Sequence, residues 1–231
     1  MIDQPAGLEL VSLRQELVAY GKRILEERLA TGAGGNISAR EGDVMLISPS
    51  GLSLADVTAH QFVAVSISSG QILGANGLRP SSEVLMHLAC YRRRSSIRAV
   101  VHTHPPYTIA LTSSGHDLRP MFADCIIYLG TNVPHLDYIT VTTPELAKAV
   151  EANLAGAECM ILRNHGAITL GENLKQAFWR ACTVEENARI QLFATIAGRP
   201  VFLDAAEAQR LESLGSEKYR RELLARMRED G

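Results

Sequence analysis

The sequence predicts an α+β fold: a mainly antiparallel sheet covered by helices, in a single domain. Three observations carry this. Helical and strand patterns alternate irregularly, without the steady rhythm of repeated βαβ units. Pairs of short strands are joined by tight turns, which only antiparallel neighbours allow. The 231 residues contain no internal repeat and no low-complexity linker, so they suit one large domain.

Leu10, Leu13, Leu17, Ile24, Leu25 and Leu29 recur near helical spacing and predict an amphipathic helix over about 9–30. Thr31-Gly32-Ala33-Gly34-Gly35 breaks it. Asn36 to Ser38 and Val44 to Ile47 read as strands turned by Glu41-Gly42-Asp43. Val63 to Ile67 and Gln71 to Leu73 form a second hairpin around Ser68-Ser69-Gly70. Ser81-Ser82-Glu83 opens a helix to about Arg93, with Leu85, Leu88 and Tyr91 facing inward.

Ile97 to Thr103 is a strand rich in β-branched residues, stopped by Pro105-Pro106 because proline cannot donate to a ladder. A helix near Tyr107 to Thr112 follows. Thr143-Pro144-Glu145 combines a hydroxyl cap, a proline at the first helical position and an acid in the first turn. Cys159 to Leu162 and Ala167 to Leu170 are strands flanking Asn164-His165-Gly166. A long helix covers Leu174 to Ala197, ended by Gly198-Arg199-Pro200, and a charged helical tail runs from Ala205 to Arg228. The core spans about 8–200 and the tail 201–231.

Composition removes several function classes. Lys+Arg number 23 against 25 Asp+Glu, so the net charge of -2 disfavours a charge-driven nucleic-acid binder. No stretch approaches the ~18 consecutive apolar residues of a membrane span. Met1 to Leu10 lacks the basic and apolar blocks of a secretory signal, so a cytoplasmic protein is expected. Cys90, Cys125, Cys159 and Cys182 form no C-x-x-C pair and sit in apolar surroundings, which predicts reduced, buried thiols.

The strongest local chemical signal is His102-Thr103-His104. Side chains at i and i+2 of a strand share a face, so both imidazoles point the same way where Pro105 stops the strand. Such a pair either hydrogen-bonds at the strand end or supplies two nitrogens to a metal ion. His165, also at a strand end and followed by a glycine, is a candidate third ligand. Three imidazoles with an open position form a catalytic zinc-type arrangement. His60, His87, His116 and His135 lack such partners and read as surface or packing residues.

Glu83, in a first helical turn, either complements the helix dipole or stands near the histidines as a ligand and proton carrier. Three segments of small hydrogen-bonding residues complete the constellation: Gly34-Gly35-Asn36, Ser48-Pro49-Ser50-Gly51 and Ser81-Ser82. Backbone N–H groups, hydroxyls and an amide can hold a phosphate without lysine, although each segment alone is an ordinary turn. Lys22, Lys148, Lys175 and Lys218 show no local feature that would activate a Schiff-base amine.

Taken together, Gly35-Asn36-Ile37-Ser38, Ser48-Pro49-Ser50-Gly51, Pro80-Ser81-Ser82-Glu83, Val101-His102-Thr103-His104 and Asn164-His165-Gly166 resemble the class II aldolase/adducin family in order and separation, over about residues 8–200. The resemblance implies an α/β/α sandwich. It implies Zn²⁺, with Mn²⁺ or Co²⁺ as alternatives, on His102, His104, His165 and a displaceable Glu83. Gly35, Asn36, Ser50, Gly51, Ser81 and Ser82 would hold a substrate phosphate. The implied reaction cleaves a ketose 1-phosphate (of L-fuculose, 5-deoxyribulose or methylthioribulose) through an enediolate to dihydroxyacetone phosphate and an aldehyde, with Glu83 moving the proton. A homotetramer with interfacial sites is also implied.

Asp124 with Tyr219 resembles the acid/base pair of the family's epimerase branch, which carries Asp where this chain has Glu83; Tyr128 and Tyr138 are further candidates for that second acid/base. Epimerisation, decarboxylation and dehydration of a sugar phosphate stay open as alternatives. So does a non-enzymatic adducin-like module, which would lack the catalytic set.

Overall fold

The computed structural model describes residues 5–74, 76–215, 219 and 223. Among these, eight strands form one sheet. They are β1 (Asn36–Glu41), β2 (Val44–Ile47), β3 (Val63–Ser66), β4 (Ile72–Leu73), β5 (Ala99–Thr103), β6 (His135–Leu136), β7 (Cys159–Leu162) and β8 (Gly166–Gly171). Their spatial order is β4-β3-β2-β1-β5-β8-β7-β6. All neighbours are antiparallel except β6 and β7, which are parallel. The mainly antiparallel sheet read from the sequence is therefore present, with one parallel edge pair.

Helices cover both faces. On one side α2 (Val84–Arg93) and α5 (Pro144–Asn153) pack over Met45, Val65, Val100, Met160 and Ile168. On the other, α1 (Pro5–Glu26) and α6 (Leu174–Ala197) cover Ile37, Leu46, Ala99 and Val101. On that second side α3 (Pro106–Ser113) and α4 (Ala123–Leu129) close a further cluster around Cys125, Ile161 and Val184. The layering is α/β/α. Alternation along β5 makes this possible: Val100 faces α2, while Ala99 and Val101 face α6, and all three are fully buried. Burying each of the two valines contributes about 1.5–3 kcal/mol.

The structure moves several expected boundaries. The first helix runs from Pro5 to Glu26, not 9–30. It ends in a Schellman turn: Arg28 takes a left-handed φ of 57°, Arg28 N–H donates to Leu25 O and Leu29 N–H to Ile24 O. Leu85, expected inward, is exposed, because α2 turns Met86, His87 and Tyr91 to the sheet. Helix α4 and strand β6 have no counterpart in the sequence reading. Both are short, and the connections around them carry no periodic pattern. In the tail, α7 (Ala205–Ser213) is present, and most of the expected helix beyond it, like Lys218, lies outside the described residues.

No helix among the described residues is long and apolar enough to cross a membrane. All four cysteines are free thiols; Cys90, Cys125 and Cys159 are buried and Cys182 is half-buried.

Candidate active site

The candidate site lies at one end of the three central strands, where β1, β5 and β8 sit side by side. Asn36, the first residue of β1, pairs with His102 of β5. Even-numbered positions on both strands face α2, so Asn36, Ser38 and His102 share a face with the start of that helix. Glu83 is the N-cap residue of α2, one position before the first turn expected from sequence.

His104 leaves the strand just past Thr103, with its backbone N–H donating to Leu29 O at 2.9 Å. His165 sits in the β7–β8 turn after Asn164, which takes a left-handed φ of 58°. Two glycines make room. A Cβ on Gly34 would stand 3.0 Å from His104 Nδ1, and one on Gly166 would stand 2.1 Å from Thr103 O.

Glu83, His102, His104 and His165 each offer one donor atom, and these atoms all lie within 4.8 Å of one another. His102 Nε2 is 3.0 Å from His104 Nε2 and 3.1 Å from Glu83 Oε2; His165 Nε2 is 3.2 Å from Glu83 Oε1. His102 Nδ1 donates to Ala167 O at 3.0 Å, so the Nε2 lone pair faces the cluster. Glu83 Oε1 and His165 Nδ1 are buried without a hydrogen-bond partner. A tetrahedral cation with ligands at about 2.0–2.1 Å holds its donors roughly 3.3 Å apart. The donor types, their spacing and the orphaned carboxylate oxygen all fit one divalent ion.

Electrostatics agree. Burial works against ionisation of Glu83, but the His102 and then the His165 rings outweigh it and hold the carboxyl well below the usual range. Burial, then the neighbouring His102 and His165, pushes His104 down to about 4 against the pull of Glu83. A carboxylate beside a neutral imidazole is the form that binds a metal.

The three segments of small hydrogen-bonding residues also converge. Ser48 N–H donates to Ile37 O, Ile37 N–H donates to Ser48 Oγ, and Ser81 N–H donates to Ser48 O. Pro49 and Pro80 form an isolated antiparallel bridge, and Ser50 N–H donates to Arg79 O. Ser50, Gly51 and Ser82 are exposed, Gly35 is half-buried, and Ser81 and Asn36 are buried. Gly35, at φ 72°, stands where a Cβ would meet His102 O at 3.0 Å.

The second acid/base candidates occupy other places. Asp124 is in the first turn of α4, Tyr128 packs edge-on against Trp179, and Tyr138 and Tyr219 are exposed.

Sequence reasoning missed His87. It is fully buried on α2 and joins a continuous hydrogen-bond chain: Tyr91 OH to Ser38 Oγ (2.8 Å), Ser38 Oγ to His87 Nδ1 (2.7 Å), His87 Nε2 to Asn36 Oδ1 (2.5 Å), and Asn36 Nδ2 to Glu83 Oε2 (2.8 Å). Burial, then the neighbouring His102, lowers its imidazole to about 3, against the pull of Glu83. The available signal was the i, i+4, i+8 series Glu83, His87, Tyr91, one helical stripe of polar groups.

Residues 15–192 match the family model of the class II aldolase and adducin N-terminal domain. The chain belongs to the class II aldolase/adducin family. It is 38% identical over 200 residues to the 5-deoxy-D-ribulose 1-phosphate aldolase of Bacillus thuringiensis serovar kurstaki, covering 86% of this chain and 92% of that one. It is 31% identical over 209 residues to a 3-oxo-tetronate 4-phosphate decarboxylase of Escherichia coli, covering 87% of this chain and 96% of the other. A solved L-fuculose 1-phosphate aldolase superposes with a TM-score of 0.82 at 32% identity, over 90% of this chain and 96% of that chain. Like the relatives named as aldolases, the chain is a lyase, and it carries a group of one carboxylate and three histidines that could hold a metal ion.

Proposed function

We infer that the protein is a divalent-metal-dependent aldolase that cleaves a ketose 1-phosphate to dihydroxyacetone phosphate and an aldehyde. The observation that carries this is the contact of Glu83 with both His102 and His165, beside converging phosphate segments. His102, His104, His165 and Glu83 would hold the ion, with zinc preferred and manganese or cobalt as substitutes. Bound there, it would supply Lewis-acid stabilisation of the charge that develops on two adjacent substrate oxygens.

The chain's own groups do the rest. Asn36, Ser50, Gly51, Ser81 and Ser82, with Gly35 allowing close backbone approach, would hold the phosphate. Breaking C3–C4 leaves an electron pair on C3 that is shared with the C2 oxygen. Glu83 returns a proton to that carbon in cleavage and removes it in condensation. The aldehyde side needs a second acid/base, for which Asp124, Tyr128, Tyr138 and Tyr219 are the candidates. The whole chain, 1–231, is read as one domain. Its placement is cytoplasmic, and its assembly a homotetramer with active sites between subunits.

Purified protein should release dihydroxyacetone phosphate from 5-deoxyribulose, methylthioribulose or L-fuculose 1-phosphate. A chelator should abolish this, and added Zn²⁺ should restore it. Release from none of the three sinks the reading. The likeness to a decarboxylase supports a second reading, decarboxylation of a β-keto acid phosphate, which CO₂ evolution would reveal.

A further inference from the structure

We propose that His87 is a positioning residue for Glu83: the buried chain Tyr91–Ser38–His87–Asn36 fixes which face of the Asn36 amide meets the carboxylate. The proposal rests on the reading of Glu83 as the proton carrier.

The polarity of the chain follows from its end. An ionised carboxylate can only accept, so Asn36 must turn its NH₂ to Glu83 Oε2. Asn36 Oδ1 then faces His87 Nε2 and can only accept, so Nε2 carries the hydrogen. In a neutral ring Nδ1 is then the acceptor, and Ser38 Oγ–H donates to it. Ser38 in turn accepts from Tyr91 OH. Each member has one arrangement that satisfies every neighbour. A flipped amide would place Oδ1 against the carboxylate and Nδ2 against Nε2–H, two repulsive contacts among buried groups.

This places His87 one residue removed from the metal-ligand set: among the described residues its ring hydrogen-bonds Ser38 and Asn36. Glu83 must move a proton in one geometry while touching two imidazoles. A donor held rigidly at 2.8 Å restricts one of its oxygens and leaves Oε1 for other work.

The test has two arms. In metal-free wild-type protein labelled with ¹⁵N-histidine, the long-range ¹H–¹⁵N spectrum at pH 7 should show His87 as the Nε2–H tautomer. An Nδ1–H tautomer or an imidazolium overturns the proposal. In the kinetic arm, His87→Leu should lower kcat about 10–100-fold, with KM changed less than about threefold. His87→Gln, whose amide nitrogen reaches the place of Nε2, should recover most of that loss. A leucine variant that is folded and retains wild-type kcat overturns the proposal, as does a folded glutamine variant no better than the leucine one. Should wild-type protein cleave no ketose 1-phosphate, the functional reading falls, while the tautomer result still decides the hydrogen-bond polarity.

Discussion

Gly166 lies so close to Thr103 that a Cβ on the glycine would stand 2.1 Å from the threonine carbonyl oxygen. The contact joins β8 to the end of β5 between two of the site's histidines, His104 and His165. Gly166→Ala should therefore force the strands apart rather than fill space. A loss of about 1–3 kcal/mol is expected, read from urea unfolding, together with weakened metal uptake read from elemental analysis.

Glu83→Gln keeps the shape and removes the charge and the basic oxygen. The kcat for dihydroxyacetone phosphate release should fall at least about 10²-fold, the usual worth of a positioned acid/base. The three histidines remain, so metal content should be reduced less than activity. Full activity would remove Glu83 from the proton-transfer role.

His87 makes metal-free stability depend on pH. Its folded value of about 3 is below its ordinary value of 6.5, so unfolded chains bind the extra proton first. Stability is full above about 6.5 and falls as pH drops toward 3, by at most about 1.4 kcal/mol per pH unit from this group. Asn36 and Ser38 hydrogen-bond the ring and Tyr91 bonds Ser38, while His102 and Glu83 act on the ring through charge. His104, lowered to about 4, adds the same sign. Denaturant midpoints of metal-free wild type and His87→Gln, followed from pH 7 to 4, should converge as the wild type loses this contribution.

Glu185 accepts from the N–H groups of Tyr107 and Thr108 and from the Thr108 hydroxyl, each within 2.9 Å. This carboxylate from α6 caps α3, directly after His104 and Pro105. Glu185→Ala should cost about 1–2 kcal/mol, measurable as a lowered denaturant midpoint. Because α3 anchors the segment carrying His104, a smaller loss of metal affinity should accompany it.

Much of the site was legible because its chemistry is local in sequence. His102 and His104 announce themselves by alternation, and Glu83 by its position at a helix start. Their meeting with His165 rested on weaker signs, a strand end beside a glycine and then the family pattern, since His104 and His165 are 61 positions apart. The buried chain was not legible. His87 and Asn36 are 51 positions apart, and neither residue type is unusual where it stands. Leu85 was misassigned because hydrophobicity alone pointed inward, whereas the polar stripe of His87 and Tyr91 had the stronger claim to the sheet face. Helix α4 and strand β6 were unread because seven and two residues are too few to show a period.

The strand order sets β5 between β1 and β8, so the cluster and its supports come from points as distant as Asn36 and His165. No short fragment of the polypeptide brings these groups together. Capture of the cation must therefore follow closure of the sheet's middle, and its release should coincide with cooperative unfolding rather than precede it.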